Sequence, residues 1–258
     1  MLTFPALRWF LPQPLLPVRH RATVRRVPAR AWVAALLLAW LAPVQGAAAF
    51  GFDDAARSAE QLAAGAYKKP NDTMPKELQA LTQEQYHDIR MRPERIWWHD
   101  AKLPFEVGFF HRGMYFDQTV KINEITDQGV SEIKFDPAMF DYGASKINPA
   151  HMGGIGFTGL RVYFALNGKG KDEVLSFLGA SYFRALGEGQ GYGLSARALA
   201  IDTGLPSGEE FPRFVEFWLE RPAAGAKELV IYALMDSRRA AAPTGQSALP
   251  GLRTAVRG

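Results

Sequence analysis

Not one cysteine occurs among the 258 residues, so disulfides, thiolate catalysis and any zinc site that needs sulfur are excluded. Histidine is sparse as well. His87, His99, His111 and His151 follow one another at irregular intervals, with no pair at i, i+4 on one helix, and no metal site is expected from them. His111 closes an aromatic strand and reads as a partly buried, hydrogen-bonded side chain. No segment repeats. Excess positive charge is confined to the start: Arg8, Arg19, Arg21, Arg25, Arg26 and Arg30 contribute much of the formal charge of +4. The remainder is close to neutral and lacks the electrostatic footprint of a nucleic-acid binder. No sequence feature asks for a cofactor. With 48% hydrophobic residues, the chain can still bury a sizeable core as one large or two small domains.

The one long apolar run, Ala31 to Ala42, follows those arginines and precedes Pro43 and the small residues Gly46–Ala49. A charged stretch, an apolar stretch of about a dozen residues and a small-residue end make a secretory signal peptide. The run is too short for a membrane span of about 20 residues. Residues 1–49 are therefore expected to be a signal peptide cut after Ala49, leaving no stable membrane anchor.

Beyond it, Phe52, Ala55, Ala56, Ala59, Leu62, Ala63 and Ala66 recur at helical spacing, which predicts a helix from Phe52 to Tyr67, ended by Pro70. Short helices are expected over Pro75–Leu81 and Thr82–Asp88, the latter opened by a Thr82–Gln85 capping box. After Pro93 the period becomes two. Phe105–His111, Thr119–Ile125, Val130–Phe135, Gly159–Ala165 and Phe214–Glu220 alternate, and Val230–Met235 reads as a buried strand. Short strands at such spacing predict a mainly β fold, an antiparallel β-sandwich preceded by short helices. From Arg238 to Gly258 neither aromatics nor alternation is evident, and a disordered, aberrant tail is expected.

Phe177 to Thr203, FLGASYFRALGEGQGYGLSARALAIDT, is the segment richest in chemistry. Glycines at 187, 189, 191 and 193 permit positive φ and close approach to a ligand. Aromatic faces and guanidinium forks around them suit a sugar groove. Tyr182, Arg184, Gln190, Tyr192, Ser195, Arg197 and Asp202 are the expected substrate-binding residues, lying along one solvent-open groove.

Other motifs carry less. Gly154-x-Gly156-x-x-Gly159 matches a dinucleotide fingerprint as a string, but a strand follows it rather than a helix, so a loop is expected. Asp88, Arg90, Arg92 and Glu94 beside Trp97 and Trp98 read either as an ion-pair lattice on an edge strand or as the lining of a sugar site. Glu209, Glu210, Glu216 and Glu220 suggest a glycosidase, which needs two carboxyl groups flanking the scissile bond. Glu216 and Glu220 alternate with Val215, Phe217 and Leu219, which makes them solvent-facing strand positions and poor catalysts. No catalytic residue is assigned.

The stretches YHDIRMRPERIWW, EVGFFHRG, DEVLSFLGASYFRALGEGQGYGLSARALAIDT and GEEFPRFVEFWLERP resemble the periplasmic glucan biosynthesis proteins of the OpgG/OpgD (MdoG/MdoD) family. The resemblance covers about Phe52 to Ser237. Asp202 in AIDT and the SGEEFPRF wording are closer to the G branch; Ala198 and Thr158 depart from the family wording. What the resemblance implies is a periplasmic protein of osmoregulated glucan synthesis. It also implies a large β-sandwich with a cleft, and a β-glucan oligosaccharide or polysaccharide as ligand. An inner-membrane glucan synthase is the implied partner. Members of the family are linked to β-1,2-glucan hydrolysis by aspartates in a later part of the large domain, and none of these can be carried over to a residue here. The expectation is thus an incomplete N-terminal portion, 50–237, of such a protein. A stand-alone glycan-binding module and a non-functional fragment are the alternatives.

Overall fold

The computed structural model describes residues 50–68, 70, 73–168 and 170–239, together with the backbone of 252–257. The expected signal peptide, 1–49, lies outside the described residues. Helix α1 (Phe52–Ala64) is opened by the Asp54 carboxylate, which accepts from Gly51 N at 2.7 Å. It stops at Gly65, short of the expected Tyr67, because Gly65 leaves helical φ, ψ and closes on Leu62 O. Two short helices follow, α2 (Lys76–Gln79) and α3 (Gln83–Asp88). The Thr82–Gln85 capping box forms as expected: Gln85 Oε1 accepts from Thr82 N at 2.9 Å and Thr82 Oγ1 from Gln85 N at 3.3 Å.

The rest is mainly β. The strands are β1 (Arg90–Met91), β2 (Glu106–His111), β3 (Lys121–Thr126), β4 (Gly129–Glu132) and β5 (Phe140–Asp141). They continue with β6 (Phe157–Phe164), β7 (Asp172–Leu178), β8 (Tyr182–Ala185), β9 (Ala196–Arg197), β10 (Arg213–Glu220), β11 (Glu228–Asp236) and β12 (Leu252–Arg257). One five-stranded sheet runs β12-β11-β10-β3-β4 and the other β2-β6-β7-β8-β9; β1 and β5 form a small ribbon. All pairs are antiparallel except β3 with β10, which is parallel. Those two strands are far apart in the chain, so no tight turn dictates their relative direction.

Alternation assigns the faces. Phe217 and Leu219 of β10, with Ile231 and Ala233 of β11, turn inward to meet Phe109, Leu160 and Phe177 of the other sheet. Phe177 and Phe217 touch across the interface with centroids 5.1 Å apart. Burial of such rings removes about 150–250 Å² each from water and dominates the core. The outward residues Trp218, Tyr232 and Leu234 form a second cluster with Ala55 and Ala59 of α1. Alanines on that helix face let it approach the sheet closely, and Phe50 stacks on Trp218 at 5.0 Å.

Three expectations are corrected here. Strands β7, β8 and β9, none of which the period-two reading picked out, fall on or within the Phe177–Thr203 segment. The cause is a bulge between Val162 and Tyr163 against β7, which breaks the alternation that would have marked it. Among Asp88, Arg90, Arg92 and Glu94 no ion pair is made; Arg90 Nε donates to His87 O at 3.1 Å and Arg92 Nε to Phe140 O at 3.2 Å. Of the tail expected to be disordered, 240–251 and 258 lie outside the described residues, whereas Leu252–Arg257 pair along β11. Leu252, Thr254 and Val256 do alternate with Arg253, Ala255 and Arg257, a period the sequence reading overlooked.

Candidate functional site

The outer face of the β2-β6-β7-β8-β9 sheet carries the polar counterpart of the core. Register places Gly108, Arg161, Ser176 and Arg184 side by side across β2, β6, β7 and β8. Because side chains alternate, this row points away from the buried row of Phe109, Leu160 and Phe177. A side chain at Gly108 would be crowded: a Cβ there would meet Arg161 Cγ and Tyr163 Cε2, each at 3.2 Å. Arg161 leans over β2 into that space, with its Cζ 4.0 Å from the Phe110 ring centroid and Nη1 3.1 Å from Glu173 Oε2. The cation–π contact and the carboxylate together hold the guanidinium in place over the Phe110 ring.

Two adjoining openings use this row. The smaller, about 300 Å³, is bordered by Arg161, Glu173, Tyr182, Arg184 and Ser195. The larger, about 600 Å³, extends over Tyr86, His87, Arg90, His111, Tyr115 and Tyr163. Phe110, Phe116, Arg161 and Leu178 border both, so they form one cleft. Glu173 is its only lining carboxylate among the described residues, and it is already tied to Arg161.

The expected binding residues divide. Tyr182, Arg184 and Ser195 line the cleft together, and Arg184 Nε donates to Ser195 Oγ at 2.8 Å. Tyr192 reaches the cleft lining through Glu173, its hydroxyl donating to Glu173 O at 2.5 Å with Glu173 Oε1 at 3.2 Å. Burial of its hydroxyl, reinforced by the Glu173 charge, holds that phenol well above its ordinary range. Gln190 is folded back onto its own loop, its amide against Gly187. Arg197 does not line the cleft: it lies opposite Tyr182 in the β8–β9 register, ion-paired with Glu209 and set 5.6 Å from the Tyr182 and Phe211 rings. Asp202 is engaged by Arg239 and, at 3.4 Å, by Ser207 Oγ. The seven residues therefore do not share one groove. The glycine argument is also narrower than expected, since of 187, 189, 191 and 193 only Gly189 takes positive φ.

The glutamates proposed by the sequence have structural work. Glu209 pairs with Arg197, and Glu210 Oε1 accepts from Arg239 N at 2.8 Å. Glu216 receives Lys121 at 3.0 Å and Asn123 at 2.8 Å, and Glu220 accepts from the Tyr232 hydroxyl. Both do lie on the outward face of β10, yet they are half-buried rather than free in solvent.

His111 is 3% exposed, more deeply placed than expected. Its Nδ1 donates to Arg112 O at 2.6 Å, which leaves Nε2 to accept from the Tyr142 hydroxyl at 3.1 Å. Burial pushes its pKa down to about 4, so the ring is neutral. Trp98 is buried too and donates to Glu124 Oε1 at 2.7 Å. It therefore serves packing, while Tyr86, His87 and Arg90 of the same stretch do reach the cleft. The Gly154–Gly159 string is a loop leading into β6, with no helix after it.

Sequence reasoning missed Arg161, Glu173, Phe110 and Tyr163. A signal existed for two of them: in GLRVYF, Arg161 and Tyr163 alternate with Leu160 and Val162, placing a cation and a phenol on the face opposite the core.

The sequence model described as "Periplasmic glucan biosynthesis protein, MdoG" matches residues 50–256, beyond Ser237 where the resemblance was expected to end. Glucans biosynthesis protein G of Ralstonia nicotianae is 57% identical over 217 residues, covering 84% of this chain and 43% of that protein. The protein of the same name in Pectobacterium atrosepticum is 46% identical over 233 residues, 90% of this chain and 44% of its own. That of Pseudomonas aeruginosa is 51% identical over 193 residues, 74% of this chain and 37% of its own. The chain spans about two-fifths of the length of the curated relatives it matches. With residues 50–256 matched and identities of this size, the chain belongs to the MdoG family of periplasmic glucan biosynthesis proteins, alongside the proteins named G.

Proposed function

We propose that this chain serves glucan biosynthesis in the periplasm by holding a glucan strand, with a β-1,2-linked backbone, in the cleft on the outer face of the second sheet. The observation that carries this reading is the row Gly108–Arg161–Ser176–Arg184, flanked by the Phe110, Tyr163 and Tyr182 rings. Rings supply apolar faces for the flat sides of a pyranose, and guanidinium forks donate to its hydroxyls. Hydrolysis by this cleft is disfavoured, because an acid and a base must flank the scissile bond and among the described residues the lining offers Glu173 alone. The role is therefore binding, and a membrane-bound glucan synthase is the partner that would supply the strand. Periplasmic location is supported by the family and by the charged–apolar–small order of residues 19–49. Among the described residues no helix is long and apolar enough to cross a membrane.

Titration calorimetry with a linear β-1,2-gluco-oligosaccharide tests the reading. Binding by the wild type is expected, with Arg161→Ala weakening it about tenfold through loss of charged hydrogen bonds. Equal affinity of wild type and Arg161→Ala, or no affinity in either, would refute it. N-terminal sequencing of the exported protein should begin at Phe50.

A further inference from the structure

The chain holds four asparagines, each followed by a different residue. Asn71 lies outside the described residues. Asn123 is buried in β3, where its amide donates to Glu216 Oε1 and to Phe217 O. Asn148 precedes Pro149, which has no N–H. Asn167 precedes Gly168 in the β6–β7 turn, and both are exposed.

Gly168 is open on all sides. It takes φ +151°, and a Cβ built on it would meet nothing within 4 Å. Among the described residues no backbone carbonyl takes its N–H. Without a Cβ to obstruct it, this nitrogen can approach the neighbouring side chain closely. Asn167 Oδ1 accepts from Gly189 N at 2.8 Å. That donor draws electron density from Cγ and stabilises the oxyanion formed when a nucleophile adds there. Nucleophile, electrophilic carbon and oxyanion donor are thus held together by one turn and one loop.

We propose that Asn167 is a site of spontaneous covalent modification, and that the change loosens the glycine-rich loop between β8 and β9. Gly168 N bonds to Asn167 Cγ, the Cγ–Nδ2 bond breaks, and ammonia leaves with the proton of that N–H. The resulting succinimide takes up water at one of its two carbonyls. Opening at Cγ gives aspartate; opening at the main-chain carbonyl gives isoaspartate. In isoaspartate the main chain runs through Cβ and Cγ, so the turn gains a methylene and Oδ1 becomes a main-chain oxygen. Its bond from Gly189 N then has to stretch or break. The loop has little else to hold it. Residues 188–195 are all exposed, Leu194 at 98%. Besides Asn167, their polar ties to the surrounding strands are Tyr192 to Glu173 and Ser195 to Arg184. The inference does not depend on what the cleft binds.

The test is to incubate the folded full chain at mildly alkaline pH. Residue 167 is followed by peptide mass spectrometry and by enzymatic methylation of isoaspartate. Wild type should accumulate isoaspartate at 167 while the amides of Asn123 and Asn148 persist. Gly168→Ala, which sets a methyl beside the attacking nitrogen, should slow the change several-fold. Asn167→Gln should abolish it, because its imide ring is one atom larger and closes slowly; should one variant melt early, the other carries the comparison. Amide exchange along 188–195 should quicken in the isoaspartate fraction. It should stay unchanged in Asn167→Asp, whose carboxylate still accepts from Gly189 N. An intact Asn167 in the folded protein, under conditions that modify it in urea, would overturn the site. Isoaspartate at 167 without faster exchange would overturn the loosening of the loop.

Discussion

The outer faces of the two sheets obey the same alternation and end up with opposite fates. On the β10–β11 side the outward row is Trp218, Tyr232 and Leu234, and α1 covers it. On the β6–β7–β8 side the outward row is Arg161, Ser176 and Arg184, and a cleft remains above it. An aromatic row left in water would be an association hazard and has to be roofed. A row of guanidinium and hydroxyl groups gains nothing from a roof, because burying charges costs more than it returns. The composition of one strand face thus decides whether that face becomes structure or site.

Breaking the covered face should be the costlier change. Trp218→Ala removes the ring on which Phe50 stacks and opens a void under α1, with an expected loss of about 3–5 kcal/mol in denaturant unfolding. Any protein that remains folded should bind glucan with unchanged affinity, because Trp218 lies on the opposite sheet from the cleft.

Acid should come next. His111 is neutral in the fold with a pKa near 4, below its ordinary 6.5. Between those values the unfolded chain binds the extra proton, so stability is complete above about pH 6.5 and falls as pH drops toward 4, by about 3 kcal/mol from this group. Unfolding midpoints across that interval should show the slope, and His111→Gln should flatten it.

A gentler perturbation is Tyr192→Phe, which takes away the hydrogen bond to Glu173 and is expected to cost about 1 kcal/mol. Amide exchange along 186–194 should quicken while the sheet stays protected. Smallest of all should be Gly108→Ala. Its methyl displaces the flexible stem of Arg161 and the ring of Tyr163 by a few tenths of an ångström, so glucan affinity drops a few-fold with stability changed by less than about 1 kcal/mol.

Much of the fold could be read in advance because strands with one buried face advertise it. Phe105–His111, Gly159–Ala165 and Phe214–Glu220 were all recognisable by period two, and the Thr82 capping box by its spacing. What hid was whatever interrupts the period: the bulge opposite Val162 concealed β7, and two-residue strands such as β1 and β9 are too short to show any period. The site was legible by composition and illegible by partnership. Tyr182, Arg184 and Ser195 were visible in the glycine-rich segment, yet nothing in sequence says that Arg197 prefers Glu209, that Asp202 is taken by Arg239, or that Arg161 arrives from another strand. Those choices depend on register, which links residues far apart in the chain.

The parallel pairing of β3 with β10 also sets a timetable for assembly. Asn123 donates to Phe217 O across that pair, 94 residues away in the chain. Neighbours β6, β7, β8 and β9 follow one another as successive antiparallel partners and can zip up by local steps. The β3 edge must wait for β10 to be made and to close a large loop, an entropic cost paid before any reward. During synthesis the β6-β7-β8-β9 run can therefore be complete while the other sheet is still half-built, with Ile122 in the open until β10 arrives to cover it.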